Sequence, residues 1–282
     1  MAIRFVTDSA SDILPAEAAA LGIRVVPIRV NFNGTEYADS VDLNHREFFE
    51  KLIESDALPT TSQPSPAEFA DVFAEETAQG DAVVAVLLSS RLSGTFQSAC
   101  IAAAECEGTV FVVDSLSATI GERMLLLQGM EYARRGCSAA EITEKLNEDR
   151  GHIRILALLD TLEYLKKGGR ISAATAFAGG LLSIKPVITV EDGAVKLLGK
   201  ARGSKNGGNL LRTLIAGCGG VDFSRPFGLL YSGLSDAMLR KYIEDSADLW
   251  QAYSAELPVY TIGSTIGTHV GPGAIGVAFF ER

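Results

Sequence analysis

The sequence predicts an α/β fold in two parts, a parallel-sheet layer followed by a smaller α+β unit. Three observations predict it. In the first half, apolar runs such as 82–88 and 110–113 alternate with helical patterns, as in a parallel sheet covered by helices on both faces. In the second half, the apolar stretches 187–190 and 195–198 flank Asp192-Gly193, a turn pair that makes an antiparallel hairpin instead. The chain has 282 residues, 47% hydrophobic and 21% charged, which is long enough for two cores and too apolar for disorder. The division is placed near residue 152: a Rossmann-like α/β domain over 1–152 and an α+β domain over 153–282.

The elements follow in order. Residues 3–6 read as a strand. A helix over 15–21 has Pro15 at its start and Gly22 just past its end, the usual asymmetry of helix termini. A strand over 25–32 is turned back by Asn33-Gly34; this turn also accounts for the sequon-like Asn33-Gly34-Thr35. A helix over 46–55 carries Phe49, Leu52 and Ile53 on one side. Ser65-Pro66-Ala67-Glu68 opens the next helix, with Ser65 and Glu68 as reciprocal capping partners. After the strand 82–88 comes a helix from about Thr95, then the strand 110–113. Helices over 118–135 and 139–149 follow, the second opened by Ser138 with Glu141 three residues on. Beyond 152 the pattern predicts a strand over 153–159 and a short helix over 162–167. Then come the hairpin, helices over 205–216 and 235–253, and strands over 227–231, 259–262 and 275–280.

Charge and composition exclude several functions. The 25 Lys and Arg stand against 35 Asp and Glu, for a net charge of −10, which argues against nucleic acid and anionic membrane as partners. The longest clean apolar run is 82–88, far short of the ~20 residues of a transmembrane segment. The start lacks the basic and apolar regions of an export signal, so a cytoplasmic protein is expected. Cys100, Cys106, Cys137 and Cys218 form no Cys-x-x-Cys pair. They read as buried thiols in a reducing compartment, and neither metal nor cofactor is expected.

Ligands in open α/β sheets bind at the carboxyl ends of strands. The polar loops placed there are Thr7-Asp8-Ser9, Thr60-Thr61-Ser62-Gln63, the loop through Ser93, Gly94 and Thr95, and Asp114-Ser115. The Ser93 loop opens a helix, where unpaired N–H groups and the helix dipole favour an anion. Gly94 admits close backbone approach, and Ser93 and Thr95 add hydroxyl donors. The same residues also suit ordinary caps, and the loops alone do not separate the two readings. Residues 271–276 match a dinucleotide fingerprint, but a strand follows the glycines instead of a helix, so NAD binding is rejected. This segment reads as a flexible turn holding His269. Arg170 and Arg202 lie in short basic stretches of an otherwise acidic chain. They could equally be solvated cations at helix ends.

Together the motifs resemble the DegV family. They are TDSASD at 7–12, TSQPS at 61–65, SSRLSGTFQSA at 89–99, VDS at 113–115, LEYLKKGGRIS at 162–172, SIKPVI at 183–188, GKARG at 199–203 and IGTHVGPGAIGV at 266–277. The resemblance runs the whole length. It implies a lipid tunnel between the two domains and a long-chain, palmitate-like fatty acid as ligand. The implied carboxylate contacts fall on Thr61 and Ser93, with Ser62, Gly94 and Thr95 beside them and His269 near the head group. Arg170 and Arg202 are expected to face a fatty-acid kinase catalytic subunit. That partner would phosphorylate the bound acid and feed phospholipid synthesis, leaving this chain as a carrier and not an enzyme. Segments 173–182 and 124–127 are candidate tunnel walls.

Three rival readings remain in view, one of them a purely structural scaffold that carries no lipid. A serine hydrolase would use Ser93 and His269 with Asp8 or Asp114, although Ser93 does not lie in a Gly-x-Ser-x-Gly elbow. A phosphotransferase would need a phosphate-binding Gly-x-x-x-x-Gly-Lys-Ser/Thr loop, which the sequence lacks.

Overall fold

The structure, a computed structural model, describes residues 2–172 and 183–282; the candidate wall 173–182 lies outside them. Strands β1 (Ile3–Asp8), β2 (Ile23–Val26), β6 (Ala82–Leu87) and β7 (Val110–Asp114) form a parallel sheet in the order β2-β1-β6-β7. Every residue of β6 is buried, and alternate side chains serve opposite faces. Val83, Ala85 and Leu87 pack under α3 (Pro66–Thr77) and α4 (Thr95–Glu105). Val84 and Val86 pack under α5 (Thr119–Arg134) and α6 (Ala139–Asp149). Both expected capping boxes form, Ser65 with Glu68 and Ser138 with Glu141.

The strand expected over 25–32 is instead broken in two. Pro27 has no N–H to donate to a ladder, and Ile28 N–H bonds Ser9 Oγ at 3.0 Å. Past this break, β3 (Arg29–Phe32) joins β4 (Thr35–Ala38) and β5 (Thr60–Ser62) in a separate antiparallel sheet, order β4-β3-β5. Helix α2 (His45–Glu54) buries Phe48, Phe49 and Leu52 against it. Ile53, expected on that side, is 59% exposed, because the buried stripe centres one residue position away from it.

The second half builds a six-stranded mixed sheet, order β10-β9-β8-β13-β11-β12. Its strands are β8 (Ile153–Leu158), β9 (Ile184–Glu191), β10 (Ala194–Arg202), β11 (Phe227–Tyr231), β12 (Val259–Thr261) and β13 (Ile275–Phe280). Only the β11–β12 pairing is parallel. Asp192 and Gly193 turn the β9–β10 hairpin with φ of 50° and 77°, as a tight hairpin requires. Helices α8 (Gly203–Gly217), α9 (Ala237–Asp245) and α10 (Ala247–Trp250) cover one face. The single helix expected over 235–253 breaks at Ser246. Its hydroxyl donates to the Tyr242 carbonyl at 2.6 Å and accepts from Trp250 Nε1 at 3.2 Å, and its backbone leaves the helical region at φ −119° and ψ 28°.

The glycine-rich segment is not a flexible turn but a helix, α11 (Ser264–Val270). Gly267 is what lets it dock: a Cβ there would sit 2.5 Å from Phe48 Cε1 and 3.0 Å from Phe49 Cζ. The four cysteines are unpaired and half-buried. Among the described residues no helix is long and apolar enough to cross a membrane.

Candidate functional site

A cavity of about 300 Å³ lies where the carboxyl ends of the parallel strands meet the face of the six-stranded sheet turned away from α8, α9 and α10. This volume suits a small-molecule site, for which ~300–1,000 Å³ is usual. Ile155, Ala157 and Leu159 line one wall with Ile188, Val190 and Leu230. Residues two apart along β8 point to the same face, so Leu156 and Leu158 turn the other way, toward the helices. The expected wall at 124–127 does not line the cavity. Met124, Leu125 and Leu126 belong to the core beneath the parallel sheet, because α5 turns that face inward.

The polar residues gather together. Thr61 stands on β5, and its Oγ1 is 3.0 Å from His269 Nε2. Gly168 makes room for the ring, since a Cβ there would collide with His269 Nδ1. That nitrogen is buried and has no hydrogen-bond partner among the described residues. Burial, and then the nearby Arg170 charge, hold the imidazole down to about 4, so it is neutral at neutral pH.

Ser93 lines the cavity and also caps: its Oγ accepts from Thr95 N–H at 3.3 Å and lies 2.9 Å from Thr95 Oγ1. The cap and the cavity-lining position thus coexist. Thr95 itself is fully buried behind Ser93 and does not line the cavity. Ser62 and Gly94 do line it. A Cβ on Gly94 would run into the Gln63 side chain, which donates to Ser98 Oγ at 3.0 Å. Gln63 lines the cavity as well, from the same polar loop as Thr61 and Ser62.

The two arginines separate. Arg170 lines the cavity, with Nε bonded to the Leu92 carbonyl at 3.0 Å and Nη1 to the Gly168 carbonyl at 2.7 Å. Nε and one Nη1 donor are therefore spent on backbone, and burial pulls its pKa down. Arg202 is exposed at the end of β10, away from the cavity, and pairs with no carboxylate among the described residues.

The hydrolase triad is not assembled. A triad needs a carboxylate that orients the histidine. Asp8 accepts from Leu88 N–H and Ala10 N–H, each at 2.9 Å. Asp114 accepts from Ser90 N–H at 3.1 Å and Leu116 N–H at 3.0 Å. Both are turn formers, and the imidazole bonds Thr61 instead.

Several carboxyls are buried behind the cavity. Asp12 accepts from Gly263 N–H at 2.8 Å and Thr119 Oγ1 at 2.5 Å. Glu122 accepts from Thr7 Oγ1 at 2.9 Å, and its Oε2 has no partner among the described residues. Burial pushes Asp8 up to about 7, Asp12 up to about 8, and Glu122 well above its ordinary range. The folded state keeps protons that the unfolded chain releases near pH ~4. The stabilisation is complete below the ordinary carboxylate range and is lost as pH rises through 7 to 8. Glu122→Gln removes one such proton while keeping the shape. It is expected to flatten the fall of Tm with rising pH, and parallel Tm curves for variant and wild type would refute this.

A mixed α/β chain built around a mostly apolar cavity with one polar cluster is the class that fold and site define. The chain belongs to the DegV family: the model described as an uncharacterised protein of the DegV family matches residues 2–282. A DegV domain-containing protein from Caldanaerobacter subterraneus subsp. tengcongensis is 37% identical over 287 residues, covering 99% of each chain. A DegV family protein from Thermus thermophilus, described by its fatty acid binding, superposes with a TM-score of 0.85 at 36% identity over 100% of both chains. A stearic acid-binding protein from Eubacterium ventriosum superposes with a TM-score of 0.86 at 26% identity, covering 100% of this chain and 98% of the other.

Proposed function

We propose that this chain holds a long-chain, palmitate-like fatty acid in the cavity, with the carboxylate at the Thr61–Ser93–His269 end. It presents that acid to a fatty-acid kinase catalytic subunit, whose acyl phosphate product feeds phospholipid synthesis. The observation that carries this reading is the distribution of chemistry in one cavity. Apolar side chains from β8, β9 and β11 make the walls, and hydroxyls, one imidazole and one guanidinium meet together. An amphipathic anion matches that division. The whole-length likeness to relatives that bind fatty acid and stearic acid supports it. The division at residue 152 belongs to the same reading, since the α/β domain supplies Thr61 and Ser93 and the α+β domain supplies the wall and His269. The cytoplasm, where acyl phosphates are consumed, is the proposed location.

The chain acts as a carrier and not an enzyme. With Nε turned to the Leu92 carbonyl, Arg170 lacks the side-on fork for clamping both carboxylate oxygens, and one oxygen stays free to attack a nucleotide phosphate. Steady ATP turnover by the lone chain would overturn this.

Native mass spectrometry of protein purified from cells tests the reading directly. An adduct of one long-chain fatty acid is expected, and a lipid-free protein that also fails to bind added palmitate would defeat it. Ser93→Ala is expected to weaken palmitate about tenfold, the scale of one hydrogen bond to a charged group, with the fold intact and Tm lowered only by the loss of one cap. Full retention of affinity would remove Ser93 from the site. Arg202→Ala is expected to leave palmitate binding intact and to slow acyl-phosphate formation with the kinase subunit. Equal rates for variant and wild type would free Arg202 from any partner role.

A further inference from the structure

The imidazole of His269 has one hydrogen-bond partner among the described residues, Thr61. Its place therefore rests on the helix that carries it. Helix α11 has seven residues, too few to hold itself in a set orientation without tertiary contacts. The contact at its first turn is Asp39, which is 1% exposed and follows β4 directly. Asp39 Oδ1 accepts from Ser264 Oγ at 2.5 Å and Ser264 N–H at 3.3 Å. Oδ2 accepts from Thr265 Oγ1 at 2.5 Å and Thr265 N–H at 3.1 Å. An ordinary cap satisfies one backbone donor through one oxygen; here both oxygens take a backbone and a hydroxyl donor from two successive residues.

The other end of this linkage is equally fixed. β4 pairs with β3, and β3 pairs with β5, where Thr61 stands opposite Val30. The small sheet thus carries both the hydroxyl that meets the imidazole and the side chain that grips the imidazole's helix. Asp12 holds the residue before the helix through Gly263 N–H. Gly263 has no room for a side chain, since a Cβ would lie 2.7 Å from His45 Nε2 and 2.8 Å from Asp12 Oδ1.

We propose that Asp39 is a positioning residue for the head-group site: by gripping the first turn of α11 it sets where His269 meets Thr61, and so how a carboxylate docks. This deepens the fatty-acid reading and rests on it for the ligand, but the positioning itself is testable in lipid-free protein.

The test compares wild type with Asp39→Asn, which keeps the side-chain volume but replaces one acceptor with a donor. Palmitate and hexadecanol share a tail and differ in the head group. Palmitate is expected to weaken about tenfold, the cost of one misaligned charge-assisted hydrogen bond, with hexadecanol unchanged. In lipid-free protein, His269 followed by NMR is expected to titrate closer to 6.5 than to about 4, as the ring leaves its buried seat. Equal losses for both ligands would mean a merely structural role and overturn the proposal, as would an unchanged palmitate affinity with an unchanged titration. If Asp39→Asn does not fold, Ser264→Ala decides, since it removes one donor and no charge. A fall in the palmitate-to-hexadecanol affinity ratio supports the proposal and an unchanged ratio overturns it. Wild type that binds neither ligand would defeat the fatty-acid reading alone, and the His269 titration would still judge Asp39.

Discussion

Octanoate is expected to bind this chain about four orders of magnitude more weakly than palmitate. It lacks about eight methylenes, each worth ~0.8 kcal/mol when buried, for roughly 6 kcal/mol at ~1.4 kcal/mol per tenfold. The same arithmetic assigns roles within the site. A palmitate tail contributes roughly 12 kcal/mol gross against an association cost of ~4–15 kcal/mol, and a hydrogen bond to the head group adds ~1.5–3 kcal/mol. In the proposed reading the tail therefore holds the ligand, and Thr61, Ser93 and His269 would aim its carboxylate. Displacement of a bound fluorescent fatty acid by an acid series from eight to sixteen carbons measures the slope. A total span below tenfold would mean that the apolar wall of Ile155, Ala157 and Ile188 does not bury the tail.

Phe48→Ala is expected to cost ~3–5 kcal/mol of folding stability, the range for deleting a fully buried aromatic ring. Phe48 is 0% exposed. Its ring centroid lies 4.9 Å from that of Phe49 and 5.7 Å from that of Phe32, and Gly267 of α11 rests on it. The variant therefore removes both a piece of core and the seat of the helix bearing His269. Urea denaturation measures the loss, and palmitate affinity is expected to fall with it. A loss below ~1 kcal/mol would show that α2 and α11 repack around the gap, contrary to the close packing of protein interiors.

Much of the fold was legible in local pattern. The apolar run at 82–88 became the fully buried strand β6, and the Ser–Glu pairs at 65 and 68 and at 138 and 141 became helix starts. These signals act between residues a few positions apart. The errors share a different cause. Pro27 interrupts a run that hydrophobicity alone joins into one strand, and the helix expected over 235–253 breaks where Ser246 leaves helical dihedrals. The glycines at 263–276 suggested a turn, yet Gly267 serves close packing and not chain freedom. Arg170 and Arg202 looked alike as basic residues in an acidic chain. One lines the cavity and the other faces solvent, because direction depends on the element each ends.

By itself, the sequence determined the α/β class, the family and the two hydroxyl loops, because periodicity, capping pairs and motif order are local properties of a chain. The tertiary structure decided that Thr61 meets His269 across 208 positions of sequence. It also decided that the cavity wall comes from β8 and β9 and not from 124–127, and that Asp39 grips the helix at Ser264, 225 positions away. Such contacts arise only when the helix Ser264–Val270 docks on the small sheet, and no local pattern carries the distance between residues that folding alone brings together.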